Sequence, residues 1–229
     1  MIRTVEETGS TNNDVAALAR AGAQEGLWLR AERQTGGRGR QGRGWHSPAG
    51  NLYASTLVRL QPADPPAATL ALVAAVALQE VVSAYVPTRR VLIKWPNDLL
   101  VEGEKLSGIL LEREGDAVVI GIGANLAARP EGLDRPATSV AALIGSAPDP
   151  AVFLETLAEA FARWLRRWRG EGLAPVRAGW LAAAHPIGTA LATSSGEGLF
   201  DGLDETGALR LRLADGTTAI IHAGDVFLI

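Results

Sequence analysis

Between Gly36 and Trp45 the chain reads GGRGRQGRGW, five glycines and three arginines (Arg38, Arg40, Arg43) ending on an indole. Glycine lets a backbone approach a ligand closely, and arginine presents a rigid fork of donors suited to phosphate and carboxylate. A loop so composed is either disordered or built to close over an anion. Its segment Gly37-Arg38-Gly39-Arg40-Gln41-Gly42 spells the dinucleotide fingerprint GxGxxG. That reading requires a helix opening at the third glycine. Arg43-Gly44-Trp45-His46-Ser47-Pro48 follows instead and cannot open one. A solvated surface loop would leave the alternation of arginine with glycine beside a tryptophan unexplained.

All but two of the 22 basic residues are arginines, and the two lysines, Lys94 and Lys105, share one short central stretch. A lysine delivers a compact point charge that a planar guanidinium does not reproduce. Lys94 opens Lys94-Trp95-Pro96-Asn97-Asp98, where Pro96 enforces a turn that presents Asn97 and Asp98 at a strand end. The same residues also make an ordinary turn. Lys105 precedes Ser107-Gly108-Ile109-Leu110, and Gly121-Ile122-Gly123-Ala124-Asn125 ends another strand on a carboxamide. Ser10-Thr11-Asn12 reads by itself as a helix cap. His46, His185 and His222 are scattered and read as structural, and no Ser-His-Asp or metal-ligand triad stands out. The inventory suits charge compensation and positioning better than nucleophilic catalysis.

The elements that must position these residues follow from the pattern. At 229 residues, 47% hydrophobic and 21% charged, the chain suffices for a sizeable core. A net charge of -3 argues against a general nucleic-acid binder, and the absence of cysteine excludes disulfides and thiolate metal sites. The polar N-terminus does not resemble a signal peptide. The apolar run from Ala67 to Leu78 is too short to cross a bilayer, so a soluble, cytoplasmic protein is expected. Ser10 or Thr11 caps a helix that Gly22 stops. Strands run from Leu27 to Ala31 into the Gly/Arg loop and from Leu52 to Leu60 out of it. A helix follows from Ala67 to Val86, between Pro66 and Pro87. Short strands at 91–94, 99–101, 106–113 and 117–122 form an antiparallel meander. Three-to-four spacing of Leu154, Leu157, Phe161, Leu165 and Trp168 predicts a core-facing helix over 150–169. Arg166, Arg167 and Arg169 at its end complement the helix dipole, and a short helix follows around 176–184. From His185 onward short alternating segments with Gly-containing turns predict a small closed β module.

Taken together and in this order, the motifs resemble the biotin protein ligases. The resemblance rests on Ser10-Thr11-Asn12, the loop from Gly37 to Trp45, Lys94 to Asp98, Lys105 with Gly108-Ile109-Leu110, and Gly121 to Asn125, and it covers nearly the whole chain. It implies an α+β fold, a mixed, mainly antiparallel sheet flanked by helices as in class II synthetases. Residues 1–184 would form the catalytic domain and 185–229 an SH3-like barrel. With the catalytic domain beginning about ten residues in, the resemblance implies the monofunctional type, without a DNA-binding domain. It further implies that ATP and Mg2+ activate biotin to biotinyl-5′-AMP, and that the biotinyl group passes to a lysine of a biotin carboxyl carrier protein. No DNA or membrane partner is implied, and family members often form homodimers.

By the same resemblance Ser10, Thr11, Asn12, Gln34 and Gly108 would bind biotin. Arg38, Gly39 and Arg40 would close over its carboxylate and the adenylate phosphate. Arg43, Trp45 and Asn125 would hold ATP, and Asn97 and Asp98 would orient Mg2+. Lys105 would neutralise charge between carboxylate and α-phosphate, with Arg40 and Asp98 as further catalytic groups. The Gly/Arg loop would then be a lid ordered by its ligand. A lipoate or other acyl-protein ligase of the same fold is an alternative reading, and a nucleic-acid module stacking bases on Trp45 is another.

Overall fold

The computed structural model describes residues 1–132 and 136–229. In chain order the elements are β1 (Ile2–Thr8), α1 (Thr11–Arg20), β2 (Trp28–Gln34), β3 (Leu52–Arg59) and α2 (Leu70–Tyr85). Then come β4 (Val91–Lys94), β5 (Asp98–Val101), β6 (Glu104–Glu114), β7 (Ala117–Ala124), α3 (Val140–Ile144), α4 (Pro150–Glu171) and α5 (Ala174–Ala182). The chain ends in β8 (Ala190–Thr193), β9 (Gly196–Leu203), β10 (Leu209–Arg212), β11 (Thr218–Ile221) and β12 (Val226–Leu228).

Among the described residues the first strands form a seven-stranded sheet in the order β1-β2-β3-β7-β6-β5-β4. Only β1 and β2 run parallel; β4 to β7 form the antiparallel meander expected from the turns, and β3 joins it antiparallel to β7 and to β2. The architecture is therefore the mixed, mainly antiparallel α+β fold. Strand β1 leaves little trace in the sequence because it is an exposed edge strand, with no buried face to impose alternation.

Helix α2 and the short 3-10 turn before it run from Ala67 to Tyr85, with a mean hydropathy of 1.8. By length and composition alone this element could cross a bilayer, so the run is longer than Ala67 to Leu78 suggests. Here it lies inside the protein, with Leu70, Val73, Leu78 and Val82 fully buried. Helix α4 starts where Asp149 accepts from the N–H groups of Ala151 and Val152 at 2.7 and 3.2 Å, with Pro150 in its first turn. The expected stripe is its buried face: Phe153, Leu154, Leu157, Phe161 and Trp168 lie in the core. Each such side chain contributes about 1.5–3 kcal/mol by leaving water. Arg169 does more than face the helix dipole. It forks onto Glu25 at 2.6 Å and onto Asp64 at 3.2 Å. Burial alone would raise the Glu25 carboxyl, but Arg169 and the Arg59 N–H outweigh it and hold the group below its ordinary value.

The last strands form a five-stranded antiparallel sheet in the order β11-β10-β9-β8-β12. It is not closed into a barrel: β11 and β12 are its outer strands. Residues between them turn instead toward the Gly/Arg loop, where the carbonyl of Gly224 accepts from Arg40. This sheet does not have a core of its own. Leu191, Phe200, Leu209 and Leu211 belong to the same hydrophobic cluster as the seven-stranded sheet and α2. Trp180 of α5 packs edge-on against Phe200 at 6.3 Å, and the indole of Trp95 donates to the carbonyl of Gly207 at 3.2 Å.

Candidate active site

The Gly/Arg loop joins β2 to β3 as a folded miniature hairpin. The N–H of Trp45 donates to Gly37 at 2.9 Å and that of Gly39 to Arg43 at 2.7 Å. Its tip turns through positive φ at Gln41 (57°) and Gly42 (71°), which places a glycine where one is wanted. The three arginines leave it in different directions. Arg38 reaches Asn13 at 2.6 Å and Glu112 at 3.2 Å. Arg40 reaches Asn97 at 3.4 Å and Gly224 at 3.1 Å. Arg43 forks onto the Asp225 carboxylate at 2.7 and 2.9 Å. The loop is thus folded against the body by protein acceptors.

Trp45 explains two glycines. A Cβ on Gly123 would stand 2.5 Å from its ring, and one on Gly108 would stand 3.2 Å from it. Glycines on β6 and β7 therefore make the floor on which the indole lies. Gly121 performs the same service for Asn12, whose carboxamide occupies the space a Cβ would need. The Trp45 indole nitrogen is buried without a hydrogen-bond partner, an unmet donor at the heart of the site.

Lys105 crosses from β6 to β5. Its ammonium lies 2.7 Å from Asp98 and 5.6 Å above the Trp45 ring, a cation–π distance. The pairing of β5 with β6 slips between Leu99 and Leu100. Such a bulge re-aims side chains. Lys105 and Gly108 can then share the open face while Leu106 and Ile109 go to the core. Asn97 donates to Ile109 at 2.6 Å, which turns its oxygen toward Arg40.

At the other end lies a set of neutral polar groups. Gln34 accepts from the Thr11 N–H and hydroxyl at 2.9 and 3.1 Å. Ser55 bridges Thr11 and Asn12 at 2.7 and 2.6 Å, and Asn12 donates to Glu112 at 2.7 Å. Ser10 is buried and its side chain makes no capping bond. Tyr53 closes this side with its hydroxyl donating to Pro48 at 2.7 Å; burial pushes its pKa up to about 12.

Both ends open into one cavity of about 470 Å3. Every residue given a site role by the resemblance lines it: Ser10, Thr11, Asn12, Gln34, Arg38, Gly39, Arg40, Arg43, Trp45, Asn97, Asp98, Lys105, Gly108 and Asn125. Not all of them offer free groups. The carboxamide of Asn125 donates to Thr138 at 3.0 Å and so holds the neighbouring loop. Lys94 and His46, the latter read from the sequence as structural, line it too, and the structure adds Asp225. Lys94 carries a signal in the sequence as one of only two lysines, whereas Asp225 reads there only as the start of the last alternating segment.

Mg2+ with a nucleotide takes one or two carboxylates and completes its shell from phosphates and water. Among the described residues no three His, Cys, Asp or Glu side chains gather as a metal cage. Asp98, with one oxygen on Lys105, and the oxygen of Asn97 fit the lesser role of holding a nucleotide-borne ion.

Residues 6–125 match the biotin/lipoate A/B protein ligase family, and residues 193–229 match the biotin protein ligase C-terminal domain. A biotin--[acetyl-CoA-carboxylase] ligase of Paracoccus denitrificans is 43% identical over 235 residues, which cover 96% of this chain and 97% of the relative. The biotin protein ligase of Aquifex aeolicus, solved with biotin and ATP, aligns with a TM-score of 0.89 at 25% identity, over 100% of this chain and 99% of that one. The Leishmania major biotin protein ligase, solved with biotinyl-5-AMP, aligns with a TM-score of 0.69 at 27% identity, over 97% and 98%. The chain belongs to the biotin/lipoate A/B protein ligase family and, within it, to the biotin protein ligases.

Proposed function

We propose that this protein activates biotin with ATP to biotinyl-5′-AMP, and transfers the biotinyl group to a lysine of a biotin carboxyl carrier protein. The observation that carries the reading is the union, in one cavity, of a neutral polar end with a cationic centre. The neutral end, around Ser10, Thr11 and Gln34, suits an uncharged ureido ring. The centre, around Lys105 and Arg40, suits a carboxylate meeting a phosphate.

The first step needs no protein nucleophile. A biotin carboxylate oxygen attacks the α-phosphorus of ATP, and the bond to the pyrophosphate leaving group breaks. Both reactants are anionic, so the task is to bring them together and neutralise their charge. Lys105 stands where it can exchange its contact with Asp98 for one with the reacting oxygens. Arg40 faces the same space from the loop, and Arg43 lies farther out, where a leaving phosphate would pass. Trp45, on its glycine floor, shields the centre from water. Bound Mg2+ would offset phosphate charge beside Asp98 and Asn97. In the second step the ε-amine of the acceptor lysine attacks the acyl carbon, AMP departs, and Asp98 would receive the amine proton. Asn12 holds the shape of the neutral end, Gly39 gives the loop backbone its approach to phosphate, and Asn125 keeps the nucleotide side in place.

We divide the chain into a catalytic unit, residues 1–184, and a C-terminal unit, residues 185–229; the five-stranded sheet, which begins at Ala190, supports this division. The cytoplasm, where ATP is made available, is its assigned compartment. The outermost strand β1 offers an unpaired edge through which two copies would form a homodimer. The test is incubation with ATP, Mg2+, biotin and a purified carrier domain, followed by mass spectrometry. One biotinyl group on one carrier lysine is expected; an unmodified carrier in the presence of all four components contradicts the proposal.

A further inference from the structure

A second cavity, of about 370 Å3, opens where β4 and the end of α5 meet the C-terminal sheet. Three guanidiniums line it: Arg90 before β4, Arg177 on α5 and Arg210 on β10. Their compensation is thin. Arg210 pairs with Asp201 at 2.7 Å, and Asp201 is the one carboxylate in the lining. Arg177 donates two nitrogens to a neutral acceptor, the carbonyl of Leu203, at 3.0 and 2.5 Å. Arg90 makes no hydrogen bond or ion pair with any described residue. Between them stands His185, whose Nε2 is buried without a partner. Burial, reinforced by the positive fields of Lys94 and Arg90, holds its pKa below the usual value. The imidazole is therefore neutral at pH 7 and adds no further repulsion. The remaining wall is apolar, formed by Leu181, Ile187 and Phe200, and Ile187 is 61% exposed.

An excess of guanidinium calls for an anionic head with two or more oxygens, to which the neutral imidazole can turn an Nε2–H in the tautomer that carries it. The apolar wall and the volume call for an organic body behind that head, since an inorganic anion would leave the wall bare. We propose that this cavity is a binding site, separate from the catalytic one, for a small organic acid: a carboxylate or phosphate on an apolar body. Arg90 belongs to the catalytic sheet's approach and Arg210 to the C-terminal sheet, so the bound acid bridges the two sheets.

Octanoate is a suitable probe, with octanamide as its uncharged match and inorganic phosphate as the head alone. The chain has only three histidines, so the ring signal of His185 is assignable by NMR with the help of His185→Gln. Octanoate should shift that signal saturably, octanamide should not, and phosphate should bind more weakly than octanoate. Arg90→Gln, which breaks no hydrogen bond or ion pair and removes only its field at His185, should weaken octanoate at this signal about tenfold, as expected for one lost charge-assisted contact. A shift seen only at His46, in the catalytic cavity, would overturn the proposal. So would equal responses to octanoate and octanamide, or an unchanged affinity in Arg90→Gln.

Discussion

The ammonium of Lys105 lies 2.7 Å from the carboxylate of Asp98, and the Trp45 ring lies beneath it at 5.6 Å. The pair joins adjacent strands at a register slip and faces the cavity. A lysine so placed can release one oxygen partner for another without leaving its seat. Lys105→Ala should lower biotin-dependent ATP–pyrophosphate exchange by at least about a hundredfold, the cost of losing one donor at developing charge. Lys105→Arg should not restore it, because a planar fork replaces a point charge. Wild-type exchange in Lys105→Ala would remove this residue from the chemistry.

Gly123 and Trp45 make a second, steric test. An added methyl at Gly123 meets the indole at 2.5 Å and must displace it. We expect Gly123→Ala to cost about 1–3 kcal/mol in fit at the loop. Exchange activity should drop and the tryptophan emission should shift, while the circular dichroism of the sheet is retained. Unchanged emission with full activity would mean that the indole does not rest there.

Asp225 links the C-terminal sheet to the loop through Arg43 at 2.7 Å, with Arg40 at 3.8 Å. Asp225→Ala should speed hydrogen exchange at the amides of Gly39 and Trp45, and Arg40→Gly should let the adenylate escape. Escape is measured as biotin appearing on bystander proteins when no carrier is present. Loop amides exchanging at the wild-type rate in Asp225→Ala would show that the carboxylate does not fasten the loop.

The half-buried His185 sets a pH dependence of stability. Its folded pKa lies below 6.5, through burial first and then the fields of Lys94 and Arg90. The unfolded chain therefore binds this proton more readily. The contribution is complete above the unfolded value and is lost as pH falls through it toward the folded one. Melting temperature should decline as pH falls through the ordinary histidine value of 6.5 and below it, and His185→Gln should flatten that decline. An equal decline in the variant would assign it to other groups.

Much of this site is legible in the sequence because chemistry there is concentrated in rare residue types. Two lysines among many arginines, a Gly/Arg loop ending on tryptophan and a Pro-Asn-Asp turn all fall on one cavity. The periodic helices, such as α4 with its capping Asp149, are legible for the same reason. Less legible is whatever depends on partners distant in sequence. Looking for cations to face an anion passes over Asp225, since its role is to hold arginines 182 residues away. Glu112 escapes notice likewise, because strand β6 gives no sign that it faces Arg38 and Asn12. Strand β1, exposed at the sheet edge, carries no apolar alternation to read. Nor does the spacing of the last strands disclose that their sheet stays open and shares the core of the first.

The central claim, that the cavity is made for biotin and its adenylate, is tested most directly by calorimetry with biotin, and with lipoate as the control. The account predicts saturable one-to-one binding of biotin, strengthened when ATP and Mg2+ are present, and no comparable heat from lipoate. Equal or preferential binding of lipoate, or no biotin heat with ATP present, would contradict it.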